Sequence, residues 1–279
     1  MLKKTSMIAG MVLCAAFAAM ADEEAELVIN EDTPIATRAP AAAHLTEFDE
    51  VLSGWLFRTD ETQALQMDDF ENPGMIFVDT AMDTYQAADG DAGKSCASCH
   101  EDVAEFRGLR TRIPKVNHGG KLWSMEDYIN DCRTTRMQAQ PWKWSGDDMQ
   151  GMVALLALQS RGMPMNVAID GPAQSYWEQG REMYYTRYGQ LELSCANCHE
   201  QNWGNMIRAD HLSQGQSNGF PTYRLKQARL ISQHSRFRGC IRDTMAETFD
   251  EGSDEFRALE LYVASRGTGL SVETPAVRQ

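Results

Sequence analysis

Two short stretches, SCASCH at residues 95–100 and SCANCH at residues 194–199, decide how the rest of the chain is read. Each contains C-x-x-C-H: Cys96, Cys99 and His100 in the first, Cys195, Cys198 and His199 in the second. Two thiols separated by two residues reach the two vinyl groups of one haem, and the adjacent histidine reaches its iron. A C-x-x-C pair by itself also serves thiol–disulfide exchange. Two copies, both followed by histidine, point instead to two covalently bound haem c groups.

The similarity extends outward from the motifs. Cys132 is followed at five residues by Met137, and Cys240 at five residues by Met245. ALLALQSRG ends at Gly162 and LELYVASRG at Gly267. Three landmarks recur in the same order, at offsets of 99, 108 and 105 residues, the mark of a repeated unit. The expected fold is therefore mainly α: two tandem cytochrome c-like domains related by internal duplication, behind an extended N-terminal arm. Gly180 to Tyr188 reads as a helix leading into the second motif. Glu255 to Ser265 reads as another, with Phe256, Leu259, Tyr262 and Val263 on one face. Ser145 and Asp148 suggest a capping box before MQGMVALLALQS, and both SRG endings supply a basic last turn and a glycine stop. A glycine-bearing first helix is expected to cross an aromatic-bearing last helix over the haem.

Lys3 and Lys4, an apolar run from Met7 to about Ala18, and Ala19-Met20-Ala21 before Asp22 form a signal peptide over residues 1–21, cleaved after Ala21. The run is short for a membrane span, so no membrane anchor is expected, and Cys14 leaves with the leader. The acidic, Ala- and Pro-rich residues 22–45 form the arm. The first haem domain takes residues 46–168 and the second residues 169–279, divided where Gly and Pro interrupt the pattern between Met163 and Pro172. The full chain carries a net charge of −14, and losing the two leader lysines makes it more negative. Nucleic acid and anionic membrane surfaces are poor partners for such a chain, and an anionic substrate needs a local basic patch.

Each haem leaves one axial position to assign. His44, His118, His211 and His234 are available, and most of the 16 methionines are simpler to read as core filler. Cys132 and Cys240 stand out as one further cysteine in each half. Three readings are open: thiolate ligation of both irons, a Cys132–Cys240 disulfide, or two inert thiols. Their surroundings differ. EDYINDCRTTR places Glu126, Asp127 and Asp131 against Arg133 and Arg136. HSRFRGCIRD places Arg236, Arg238 and Arg242 around Cys240, with Asp243 the nearest acid. Arginines so close favour a thiolate and can hold a small oxyanion, although haem propionates also claim arginines. The second site is thus expected to act on an anion and the first to handle electrons.

With two C-x-x-C-H motifs, one further cysteine per half, SRFRGCIRDTMAE at 235–247 and NGFPTYRL at 218–225, the chain resembles the SoxA subunit of the SoxXA cytochromes. The resemblance implies a periplasmic L-cysteine S-thiosulfotransferase. Such an enzyme joins thiosulfate oxidatively to a cysteine of the SoxY carrier, which travels with SoxZ, and passes two electrons onward. It implies a small monohaem partner, SoxX. Carried onto this sequence, His100 and Cys132 ligate the first iron, and His199 and Cys240 the second. Cys240 is also the persulfide candidate, and Arg236 binds substrate, with Arg238 and Arg242 weaker candidates. Two rivals remain at this point: a dihaem thiosulfate dehydrogenase forming tetrathionate, and a plain electron-transfer dihaem cytochrome c.

Overall fold

Short apolar runs punctuated by Ser, Asp and Gly give the chain its helices. The computed structural model describes residues 25–279, so the expected leader and its cleavage site lie outside the described residues. Eight α-helices follow in order: α1 (Asp60–Met67), α2 (Met75–Gln86), α3 (Met125–Cys132), α4 (Asp147–Leu158), α5 (Gln174–Tyr185), α6 (Cys195–His199), α7 (Gln233–Asp243) and α8 (Asp254–Arg266). A single π-type turn, Arg133–Met137, extends α3 past Cys132.

Helix α8 shows why these segments are helical. Ser253 caps it by accepting from the Phe256 N–H, Asp254 and Glu255 occupy its first turn, and Arg266 its last before Gly267. Those charges oppose the helix dipole at both ends. Phe256, Leu259, Tyr262 and Val263 are buried together with Tyr184 and Ile241, as the periodicity predicts. Helix α4 is buried on nearly every side, from Met149 to Ala157. Its cap departs from expectation: Gly146 is the N-cap, without a side-chain bond. The Ser145 hydroxyl lies 2.8 Å from that of Ser232 instead, spending its capping group on a contact with the residue that caps α7. Helix α5 also starts and ends earlier than expected. Its terminal N–H bonds stop at Thr186, and Tyr188 instead forms a bridge with Leu193.

Two helix pairs organise the core, α2 with α4 and α5 with α8. In the second pair the glycine lies on the leading helix, as expected: a Cβ at Gly180 would enter the carbonyl of Ala258. In the first pair the roles reverse. Gly151 sits on the trailing helix α4, where a Cβ would lie 2.8 Å from the Phe77 carbonyl oxygen. Either partner can supply the missing methyl, because close approach needs only one bare backbone.

Strands are short. Residues 25–45, expected as an extended arm, are folded down onto the protein. Strand β1 (Leu27–Ile29) pairs antiparallel with β2 (Thr33–Ile35), and β3 (Arg38–Pro40) with β4 (Glu50–Leu52). Leu27, Ile29 and Ile35 bury against Trp55, Leu56 and Phe57, and an arm with that many apolar residues gains by packing. Two-residue hairpins follow, β5 (Lys115–Val116) with β6 (Leu122–Trp123) and β7 (Met206–Ile207) with β8 (Asp210–His211). Strand β9 (Thr222–Arg224) lies between β10 (Arg229–Ile231), antiparallel, and the C-terminal β11 (Ala276–Arg278), parallel. Buried Glu273 fastens this tail, accepting from the Ser53 hydroxyl, Gln66 at 3.1 Å, Asn218 at 3.1 Å and Arg278 at 2.8 Å. The tail's β11 pairs with β9, whose other neighbour, β10, leads directly into α7, the helix that carries Cys240.

Candidate functional site

The two C-x-x-C-H motifs are held by residues inside and just before them. Ser194 accepts at 3.2 Å from the Asn197 N–H, and the Asn197 side-chain oxygen accepts at 2.9 Å from the Ser194 N–H. Ser95 and Ser98 make the same reciprocal pair at 3.1 and 2.9 Å. In the first motif the Cys99 and His100 N–H groups both reach the Cys96 carbonyl, at 3.1 and 3.0 Å. A capping box of this kind fixes the first turn, and with it the separation of the two thiols.

His199 has a defined tautomer. Its Nδ1 lies 2.7 Å from the Ser213 carbonyl oxygen, which can only accept, so Nδ1–H donates and Nε2 keeps its lone pair. Burial, opposed by this bond, pushes the ring down to about 4, so it is neutral and able to bind a metal at ordinary pH. Gly215, at φ +74°, lies flat against the ring: a Cβ there would stand 2.8 Å from Cγ and 2.9 Å from Nδ1. His100 is held more loosely. Its Nδ1 lies 3.6 Å from a Glu105 carboxylate oxygen, its ring 4.8 Å from that of Phe106, and its side chain is 41% exposed.

All six cysteines among the described residues are free thiols, so the Cys132–Cys240 disulfide is not formed. The fold sorts them into two sets of three. Cys132 lies near enough to Cys96 and Cys99 for their charges to interact, and Cys240 near enough to Cys195 and Cys198. Burial pushes the Cys96, Cys132 and Cys198 thiols up, and Cys195 up to about 12. His234 does not join the second set; it turns toward Glu260 at 3.2 Å.

The surroundings fit covalent haem. Beside Cys96 a cleft of about 310 Å³ is lined by Asp89, Arg133, Met137 and Trp142, the scale of a cofactor pocket. Around the second motif, Leu191, Trp203, Met206 and Ile207 expose apolar surface on the segments flanking Cys195–His199, as does Met245 beyond Cys240. A haem attached at Cys195 and Cys198 gives such side chains an apolar partner.

The cations differ sharply between the sites. Arg133 is buried and fully engaged: it donates to Asp89 at 2.7 Å and to the Gln140 carbonyl at 3.0 Å, and stacks 3.8 Å above the Trp142 ring. Arg136 is exposed. At the second site Arg236 precedes Cys240 by one helical turn, on the same face of α7. It is partly buried and makes no ion pair among the described residues, and the Cys240 charge is the largest influence holding its guanidinium above the usual range. Arg238 is exposed and pairs with Glu251 at 3.4 Å; Arg242 is exposed at the end of the helix.

A second cation enters from elsewhere in the chain. Arg224, at the end of β9, feels Arg236, Cys240, Asp210 and Arg58 electrostatically, although burial is the main cause of its lowered value. Its Nε donates to the Gln279 carbonyl at 2.7 Å. Arg58 pairs with Asp210 and donates at 3.0 Å to the His211 carbonyl. Sequence reading missed Arg58, Asp210, Ser213 and Gly215 as parts of this site. Arg224 falls inside the quoted NGFPTYRL stretch but carried no role there.

Comparison with known proteins places the chain. The profile of the SoxA/TsdA cytochrome c domain matches residues 80–165. The L-cysteine S-thiosulfotransferase subunit SoxA of Rhodovulum sulfidophilum is 63% identical over 255 residues, covering 90% of this chain and 89% of its own. That of Paracoccus pantotrophus is 58% identical over 272 residues, covering 95% and 94%. In a crystal structure of SoxXA from P. pantotrophus, one chain superposes with a TM-score of 0.90 at 57% identity, covering 92% of this chain and 99% of that one. With a cytochrome c domain and such identity along nearly its whole length, the chain belongs to the L-cysteine S-thiosulfotransferase subunit SoxA family.

Proposed function

We propose that the chain is a periplasmic dihaem subunit that joins thiosulfate oxidatively to a cysteine of the SoxY carrier, in complex with a SoxX-like monohaem partner. The reading takes residues 46–168 and 169–279 as duplicated haem domains, with His100 and Cys132 on the first iron and His199 and Cys240 on the second. In support, the halves run parallel: in each, a positive-φ glycine ahead of the motif, Gly90 or Gly189, packs against the chain just after the distal-cysteine helix. Among the described residues no helix is long and apolar enough to cross a membrane.

The observation that carries the reading is the pairing of Cys240 with an uncommitted Arg236, against a fully committed Arg133 at the other site. Thiosulfate is a dianion. Arg236 offers it paired N–H donors beside the Cys240 sulfur, with Arg224 adding positive potential. Overall, the sulfane sulfur of thiosulfate bonds to the carrier cysteine sulfur, the carrier thiol loses its proton, and two electrons depart. Haems held at Cys96, Cys99 and His100 and at Cys195, Cys198 and His199 would, when bound, supply one-electron acceptors for those electrons. Cys240, a free and half-buried thiol beside Arg236, is the candidate to carry a persulfide sulfur at this site.

Intact-mass spectrometry of the chain matured in a haem-attaching periplasm tests this. We expect two haems and one reducible extra sulfur that maps to the Cys240 peptide. One haem, or two haems with no sulfur adduct at Cys240 after exposure to thiosulfate and carrier, overturns the proposal.

A further inference from the structure

The helices that carry Cys132 and Cys240 begin at one buried polar cluster. Glu126 lies in the first turn of α3 and His234 in the first turn of α7, each six residues before its cysteine, or about 9 Å along the helix axis. Between them stand Glu260 from α8, Gln150 from α4, Gln233 from α7, and Arg110 from a short 3₁₀ turn. All six are at most 7% exposed. Gln150 donates to Glu126 at 3.1 Å. Glu260 accepts from the Ser124 hydroxyl and faces His234 Nε2 at 3.2 Å. His234 Nδ1 accepts from the Gly252 N–H at 3.0 Å, so Nε2 carries the hydrogen given to Glu260. Arg110 donates to the carbonyls of Ile113 at 3.1 Å and Ser217 at 3.0 Å. The neighbouring acid Asp127 points out of the cluster, to Arg257 at 2.6 Å.

The charges do not balance if both carboxylates ionise. Arg110 is the fixed cation within the cluster, since Arg257, which also feels Glu260, is committed to Asp127. Glu260, with Ser124 and His234 bonded to it, is the better-supported anion. Burial and the charge of Glu260 push Glu126 up to about 7. At the centre is a cavity with about 20 Å³ open to water centres, lined by Arg110, Glu126, Gln150, Gln233 and Glu260. That is room for one water molecule. Gln150 Oε1 and both polar atoms of the Gln233 amide have no protein partner, so such a water meets polar partners on several sides.

We infer that this cluster is a proton-loading site, with Glu126 taking up a proton when an electron enters either haem domain and releasing it on reoxidation. The inference rests on the dihaem reading above. The electron comes from the sulfur oxidation, the proton from solvent through the cavity water. The added proton offsets the added electron, so the interior gains no net charge. A unit charge about 10 Å away, the scale of the rise from Glu126 to Cys132 along α3, would change proton affinity by roughly tenfold across an effective dielectric of about 20. By the same linkage an ionised Glu126 disfavours reduction, so the haem potentials fall as pH rises through its titration. Glu126 is a positioning group for charge and touches neither substrate nor the haem-attaching residues.

The experiment is spectroelectrochemical titration of the haem-loaded full chain across neutral pH, after haem counting by pyridine haemochrome. Fewer than two haems refutes the dihaem reading itself. With two haems present, wild type is expected to show potentials that fall with pH, and to take up protons on reduction in weakly buffered solution. Glu126→Gln is expected to flatten the slope and lose the proton uptake, and Glu126→Asp to retain both. Haem propionates also titrate, so an identical slope in wild type and Glu126→Gln assigns the effect to them and overturns the inference. Where Glu126→Gln fails to mature, Gln150→Leu decides. Loss of its amide donor is expected to move the titration to higher pH, and an unmoved titration overturns the inference.

Discussion

Replacing Gly215 by alanine probes how the second site holds its histidine. The new methyl has two separable costs. The backbone at φ +74° strains any residue with a Cβ, by about 1–2 kcal/mol. The Cβ would also stand 2.8 Å from His199 Cγ and 2.9 Å from Nδ1, against an ordinary separation of about 3.5 Å. The ring must therefore retreat by roughly 0.6 Å, past the tolerance of about 0.5 Å for a preorganised ligand. Moving it stretches the 2.7 Å bond from Nδ1 to the Ser213 carbonyl, worth about 1 kcal/mol. The sum is about 2–3 kcal/mol, and on the proposed ligation by His199 the axial field of its haem should change as well. Gly204 provides the control. It has φ +81° and nothing within 4 Å of its Cβ position, so Gly204→Ala carries backbone strain alone. Low-temperature EPR of the ferric protein reads the axial field, and chemical denaturation reads stability. Gly215→Ala should shift the signal of one haem and lose more stability than Gly204→Ala. Equal stabilities and an unchanged spectrum would refute the idea that Gly215 seats the ring.

Three further outcomes follow from the same geometry. Arg236→Ala removes two charge-assisted donors, each worth about 1.5–3 kcal/mol, and should lower kcat/KM for thiosulfate roughly 10²- to 10⁴-fold with haem content intact; Arg236→Lys should recover part of that loss, and wild-type turnover in the alanine variant removes the assigned role. Gly180→Ala drives a methyl into the Ala258 carbonyl across the α5–α8 crossing, so denaturation should show a loss of about 1–3 kcal/mol from overpacking. Glu126 holds its proton more tightly folded than unfolded, so its contribution to stability is present below the ordinary carboxylate range and lost as pH rises toward about 7. Glu126→Gln should therefore gain stability relative to wild type as pH is raised through that window in urea titrations, and parallel pH profiles would remove the assignment.

The spacing of C-x-x-C-H exposed the attachment chemistry because covalent geometry is local, and the face of α8 was legible because burial follows a period of 3.6 residues. What escaped reading depends on contacts between distant segments. Helix α4 lost its expected serine cap because Ser145 meets Ser232, 87 residues away. The arm folded down because its apolar residues find Trp55 and its neighbours. The contrast between the two cysteine sites is the most instructive case. The acids near Cys132 suggested that Glu126, Asp127 and Asp131 neutralise Arg133, yet none of them does. Asp89, 44 residues upstream, holds Arg133, while Asp127 turns to Arg257 and Glu126 into the buried cluster. Arg133 is thus neutralised by a partner the local sequence does not contain, while Arg136 stays exposed. Around Cys240 the apparent triad of arginines reduces to Arg236, since Arg238 binds Glu251 and Arg242 lies exposed at the helix end, while Arg224 arrives on β9. Charge counted along a helix mixes faces that point in different directions, and only residues about one turn apart share a site. Position on the helix, more than the density of charge around the cysteine, decides which arginine stays without an ion-pair partner among the described residues, Arg236 near Cys240, and which is committed elsewhere, Arg133 near Cys132.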